Sequence, residues 1–80
     1  MHTIKQISAK QDYKLIVVFT DGKKREFDAK LLINKYPQFK ALENIDLFLK
    51  AKVAPEGQAV IWNEQLDISA ESIYNEGKGL

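Results

Sequence analysis

Five consecutive apolar residues, Leu15-Ile16-Val17-Val18-Phe19, run directly into the turn sequence Thr20-Asp21-Gly22. Three of the five are β-branched and one is aromatic, which marks a strand. Successive strand residues point to opposite faces, so a strand apolar at every position needs cover on both sides, at least in part. Such a strand belongs in the middle of a sheet, and its neighbours in sequence must pair with it. Tyr13 to Phe19 therefore reads as one strand and Ile7 to Lys10 as the strand before it, with a turn at Gln11-Asp12.

The following strand, Lys23-Lys24-Arg25-Glu26-Phe27, carries a single large apolar residue, and that residue chooses the loop. A two-residue loop, Asp21-Gly22, sets Phe27 opposite Ile16. A three-residue loop, Thr20-Asp21-Gly22 with Gly22 left-handed, sets Phe27 opposite Leu15. The second register gathers Leu15, Val17, Phe19 and Phe27 on one face, and a slip of one residue moves Phe27 off it. The three-residue loop is the expected one.

Past the hairpin the pattern becomes helical. Asp28 can cap a helix over Ala29 to Asn34, and Tyr36-Pro37 ends it, because the residue before proline avoids the helical region. Phe39 and Leu42 share one helical turn. Asn44 can cap a second helix, Ile45 to Leu49, with Ile45, Phe48 and Leu49 facing the core. Ala51 to Ala54 and Ala59 to Trp62 form a second hairpin around Pro55-Glu56-Gly57-Gln58. Asn63-Glu64-Gln65 is a tight turn, Leu66-Asp67-Ile68 a short last strand, and Ser69 the N-cap of a helix over Ala70 to Asn75 that stops at Gly77. The expected fold class is α+β: an antiparallel sheet of four or five strands built from two hairpins, with two or three short helices. Residues 1–76 form the expected single domain, and residues 77–80, within the glycine-bearing stretch Asn75 to Leu80, read as a frayed tail.

A chain of 80 residues buries roughly 60–65% of the surface its unfolded form exposes, so its core is small and a homodimer would add stability. There is no cysteine, which excludes disulfide and thiolate chemistry and suits a reducing cytoplasm. The longest apolar run is five residues, far short of a membrane span. Residues 1–52 hold eleven Lys/Arg against six Asp/Glu, whereas residues 53–80 hold one against five. That split makes a dipolar surface able to steer a charged partner.

Chemistry-bearing constellations are sparse. His2 is the only histidine and lies at a chain end, where mobility is the rule, so neither a zinc site nor a catalytic triad can be built on it. No cofactor or metal site is expected. Asp67, between Leu66 and Ile68, reads as an acceptor for backbone N–H groups of the turn after Trp62, or else as an acid or a partner contact. Trp62 reads as the largest block of the core, with a binding hot spot as the other reading. Tyr13, Tyr36 and Tyr74 read as half-buried rings with their hydroxyls in water. Lys23, Lys24 and Arg25 offer a contact for phosphate or an acidic partner, but nucleic-acid binding by this domain alone would need a wider basic face. The other reading of these three is a solvated strand whose charges discourage edge pairing.

Asp12-Tyr13-Lys14-Leu15-Ile16-Val17-Val18-Phe19, Asp21-Gly22, Phe27-Asp28, Phe39, Leu42, Leu47-Phe48, Val53, Gly57, Val60-Ile61-Trp62 and Leu66-Asp67-Ile68-Ser69 occur in an order and spacing that carry a resemblance. From Ile7 to Tyr74 the chain resembles a small bacterial family, domain of unknown function family 2442. The resemblance implies a compact α+β fold and no catalytic residue. It also implies two settings: one half of a two-gene pair similar to toxin–antitoxin modules, or fusion to a helix-turn-helix domain, for which this sequence shows no segment.

Three functions are thereby weighed. The first is a non-enzymatic, cytoplasmic protein-interaction module that binds a second small protein, as an antitoxin-like half of a pair. Its binding surface would be an exposed sheet edge, with the first strand, Ile7 to Lys10, as the candidate. A nucleic-acid-associated regulator using Lys23, Lys24 and Arg25 is the alternative. A small enzyme is the third, and a pocket joining Asp67 with Tyr and Lys groups would favour it.

Overall fold

The structure is a computed structural model that describes residues 2–80. β1 (Ile4–Ala9), β2 (Lys14–Phe19) and β3 (Lys24–Asp28) form an antiparallel meander. Leu15 pairs with Phe27 across β2 and β3, the Phe19 N–H donates to Lys23 O at 2.9 Å, and Gly22 takes φ +88°. The loop therefore has three residues, as the Phe27 argument requires. Leu15, Val17, Phe19 and Phe27 are all buried on one face of this sheet, while Ile16 and Val18 on the other face are half-covered.

The β1–β2 turn spans Lys10 to Lys14 and places Tyr13 at φ +66°. A left-handed tyrosine costs about 1–2 kcal/mol. Two contacts oppose that cost: the Tyr13 hydroxyl donates to Glu43 O, and its ring lies 5.4 Å from that of Phe48.

α1 (Lys30–Lys35) begins one residue later than the sequence suggests, although Asp28 Oδ1 does accept from the Lys30 N–H at 2.9 Å. A 3-10 helix over Pro37–Glu43 then buries Phe39 and Leu42. α2 (Ile45–Phe48) is capped by Asn44, whose Oδ1 accepts from Asp46 N–H. Leu49 is a correction: it is 37% exposed. The helix has only four residues, and Leu49, one past Phe48, points about 100° away from it.

β4 (Lys52–Val53), β5 (Ala59–Asn63) and β6 (Leu66–Ser69) make a second antiparallel sheet. α3 (Ala70–Glu76) follows at once, with Ser69 Oγ accepting from Ser72 N–H as the N-cap. The α+β class therefore holds, with the strands divided between two sheets. A break at the 3-10 helix and α2 separates the two hairpins, and their inner faces share one core. Val60, Trp62, Leu66 and Ile68 join Leu15, Val17, Phe27, Phe48 and Ile73 in it.

The last residues differ from the frayed tail expected for 77–80. Lys78 and Gly79 form β7, which pairs antiparallel with Glu26 and Arg25 and completes the sheet order β1-β2-β3-β7. α3 packs beside β3, so the chain leaves the helix next to an open edge and uses it.

Candidate functional site

Tyr74 on α3 lies at the centre of one surface cluster. The His2 imidazole stacks on its ring at 3.5 Å between centroids, and the Arg25 guanidinium carbon lies 4.3 Å from the ring centre. Its hydroxyl donates to Asp21 Oδ2 at 3.2 Å. Glu71 accepts from the backbone N–H of His2 and approaches Nδ1 of the same residue at 2.9 Å. Those hydrogen bonds, the backbone one foremost, hold the Glu71 carboxyl below its ordinary pKa. Asp21 is held low as well, chiefly by the Lys23 N–H that donates to it. His2 is thus held against Tyr74 and Glu71 by these contacts. No spacing in the sequence places residue 2 beside residues 71 and 74.

The basic triplet does not form one surface. Arg25 lies on the Phe27 side of β3, with Nε donating to Tyr74 O at 3.1 Å. Lys24 faces the opposite way, and Lys23 lies in the loop beside Asp21. On the outer face of the sheet Lys14 pairs across from Asp28 and Lys78 across from Glu26, so positive and negative charges alternate there. Strand alternation carries that signal for two of them: consecutive strand residues such as Lys24 and Arg25 cannot present one face.

Trp62 is 5% exposed, and its Nε1–H donates to Phe48 O at 3.0 Å. It is a core residue, and the hot-spot reading falls. Asp67 does not accept from the turn after Trp62. Asn63 Oδ1 takes both donors, Gln65 N–H at 2.8 Å and Leu66 N–H at 3.0 Å. An asparagine opening a tight turn is the legible signal for that role.

Asp67 instead lines a cleft of about 240 Å³ between α1 and the β6–α3 segment. Leu31, Leu32, Lys35 and Tyr36 form one wall, Asp67, Ile68 and Ser69 face them along β6, and Phe27 and Phe39 are also in the lining. Leu31 is 59% exposed and Tyr36 39%, two of the four exposed large apolar residues among the described residues. The cleft does join Asp67 with a lysine and a tyrosine, the combination that favours an enzyme. However, no side-chain hydrogen bond links Asp67, Lys35 and Tyr36 among the described residues, and the Lys35 ammonium lies over the Tyr36 ring at 5.4 Å. Ser69 is occupied in capping α3. The volume is also below the roughly 300–1,000 Å³ of small-molecule pockets. A larger but shallower concavity, about 560 Å³, lies over Lys52, Ile61 and the turn Asn63 to Gln65, with Ile61 its one large apolar residue. No group of three or more His, Cys, Asp or Glu side chains converges as a metal site among the described residues.

The cleft runs along a free sheet edge, because β6 pairs only with β5. Ala70 N–H donates to Gln58 O at 2.9 Å, and the register pairs Val60 with Ile68 and Ile61 with Asp67. Bonded and unbonded pairs alternate in an antiparallel ladder, so Asp67 and Ser69 turn their N–H groups away from β5. β1 is also an edge strand, but it is broken by a bulge between Ile4 and Gln6. Gly57 packs so closely on β1 that a Cβ there would lie 2.5 Å from Ile4 O.

A family model described as a protein of unknown function, DUF2442, matches residues 4–79. The chain belongs to DUF2442. The match takes in β1 and reaches Gly79 in β7, beyond the Ile7–Tyr74 span of the resemblance. This DUF2442 chain also shares its fold with the crystal structure of a candidate DNA-binding protein from Nitrosomonas europaea. The TM-score is 0.80 at 18% identity, over 92% of this chain and 47% of that one. It therefore spans about half the length of that neighbour, and likeness at this identity is likeness of fold. No curated protein matches the DUF2442 chain. No helix among the described residues is long and apolar enough to cross a membrane.

Proposed function

We propose that this DUF2442 chain is a non-enzymatic protein-interaction module that binds a second small protein through a free sheet edge. One observation carries the reading: the unpaired edge of β6 borders a cleft flanked by the exposed side chains of Leu31 and Tyr36. Strand addition obtains affinity from main-chain hydrogen bonds and specificity from adjacent side-chain pockets, and β6 offers unpaired main-chain groups beside a cleft. The edge of β1 suits this less well, because its bulge and Lys5 are features that discourage pairing. The two-gene arrangement that the family resemblance implies for some relatives supports a small protein encoded beside this one as the partner, with this chain as the antitoxin-like half. A cysteine-free domain suits a cytoplasmic setting.

The name of the Nitrosomonas europaea neighbour supports a second reading, a nucleic-acid-associated regulator. Against it, Lys23, Lys24 and Arg25 point in different directions and Arg25 is engaged with Tyr74. Co-purification of the tagged chain from its own host separates the two, with nuclease washes at low and high salt and mass spectrometry of what remains. A stoichiometric small protein that survives high salt supports the interaction module. Nucleic acid that is lost steeply with salt, with no protein partner, supports the regulator.

A further inference from the structure

We infer that the β6 cleft takes an extended segment of the partner whose residues alternate between apolar and basic. The inference rests on the interaction-module reading and names what that site would accept. Ile68 turns into the core while Asp67 and Ser69 turn to solvent. A strand added beside β6 inherits the same alternation. Its residue beside Ile68 faces the apolar side of the cleft, where Leu31, Leu32, Phe27, Phe39 and Tyr36 lie. Its next residue lies beside Asp67, on the solvent side.

Charge selects the second kind of residue. Asp67 and Glu76 both line the cleft and are exposed, and among the described residues neither has a basic side chain within salt-bridge distance. The cation of the cleft, Lys35, lies over the Tyr36 ring. The surrounding segment, residues 53–80, holds five acidic residues and one lysine. A lysine or arginine in the added strand complements this wall, and an acidic residue is repelled by it. The Asp67 N–H and C=O and the Ser69 N–H are the backbone groups such a strand would bond.

The test is a selection of short random peptides displayed on phage against the full chain. It is followed by binding of enriched synthetic peptides to wild type, Asp67→Lys and Asp67→Pro. Sedimentation of the free chain and circular dichroism of each variant accompany it. The expected outcome is an alternating apolar–basic consensus, weakened roughly fivefold to tenfold by Asp67→Lys and abolished by Asp67→Pro in a folded chain. An acidic or patternless consensus, or binding that neither variant alters, overturns the β6 assignment and leaves the interaction module standing at another edge. A free chain that is dimeric until Asp67→Pro makes it monomeric also overturns it, because a second copy then fills the cleft. Failure to enrich any peptide overturns the β6 assignment, while co-purification of a small protein decides the reading beneath it independently. Should Asp67→Pro unfold, Asp67→Lys together with Glu76→Lys decides the matter.

Discussion

The His2 imidazole lies nearly parallel to the Tyr74 ring, 3.5 Å away and tilted by 14°. This contact, with the Glu71 carboxylate beside it, ties the second residue of the chain to its last helix.

Acid should loosen that tie. Hydrogen bonds from the His2 backbone and imidazole lower the Glu71 pKa in the folded chain. A depressed carboxyl pKa stabilises the fold above its unfolded value, and the benefit is lost as pH falls through the folded value. Stability of the wild type should thus decline through the acid carboxylate range more steeply than that of Glu71→Gln. Urea titrations of both proteins from neutral to acid pH check this, and parallel curves would contradict it.

Trp62→Phe should cost about 0.5–1.5 kcal/mol, the net worth of one hydrogen bond, because Phe48 O loses the indole donor and keeps the Ala51 N–H. The substitution removes the only tryptophan, so urea unfolding is followed by circular dichroism. An unchanged midpoint would show that the Ala51 N–H alone satisfies that carbonyl.

Two glycines with left-handed backbones should respond differently to alanine. Gly22→Ala has nothing within 4 Å of the new Cβ and meets only the conformational cost, about 1–2 kcal/mol. Gly57→Ala adds a Cβ 2.5 Å from Ile4 O and 2.9 Å from Ile4 N, and backbone cannot yield as a side chain can. Its melting temperature should fall much further. Equal losses would mean that β1 shifts freely from the Pro55–Gly57 turn.

Leu31→Ser should leave stability within about 0.5 kcal/mol, the usual range for an exposed site, because this side chain is mostly in solvent. The same change should weaken capture of the co-purified partner. Parallel thermal melts and pull-downs separate the two effects, and full retention of the partner would remove Leu31 from the binding surface.

Local features were legible where one residue had one consistent position. Phe27 fixed the register of β2 with β3, Pro37 ended α1, and Asn44 and Ser69 capped α2 and α3. What escaped depends on contacts far apart in the chain. Nothing local tells residue 2 that it meets residue 74, or that Lys78 and Gly79 find an edge at Arg25 and Glu26. The division into two sheets is of the same kind, since each hairpin reads alike whether or not it joins the other. Arg25 and Asn63 were within reach of the sequence. Alternation along β3 turns Arg25 away from Lys24, and an asparagine before a two-residue turn is a ready acceptor for its N–H groups. The cleft itself was not legible, because its walls come from residues 27–39 and 67–76.

The central claim is that β6 is the edge a partner completes. Amide hydrogen exchange of Asp67 and Ser69 in the free chain and in the co-purified complex tests it most directly. The account predicts fast exchange at both amides in the free chain and marked slowing in the complex. Slow exchange already in the free chain, or protection that appears in the complex only at another edge, would contradict it.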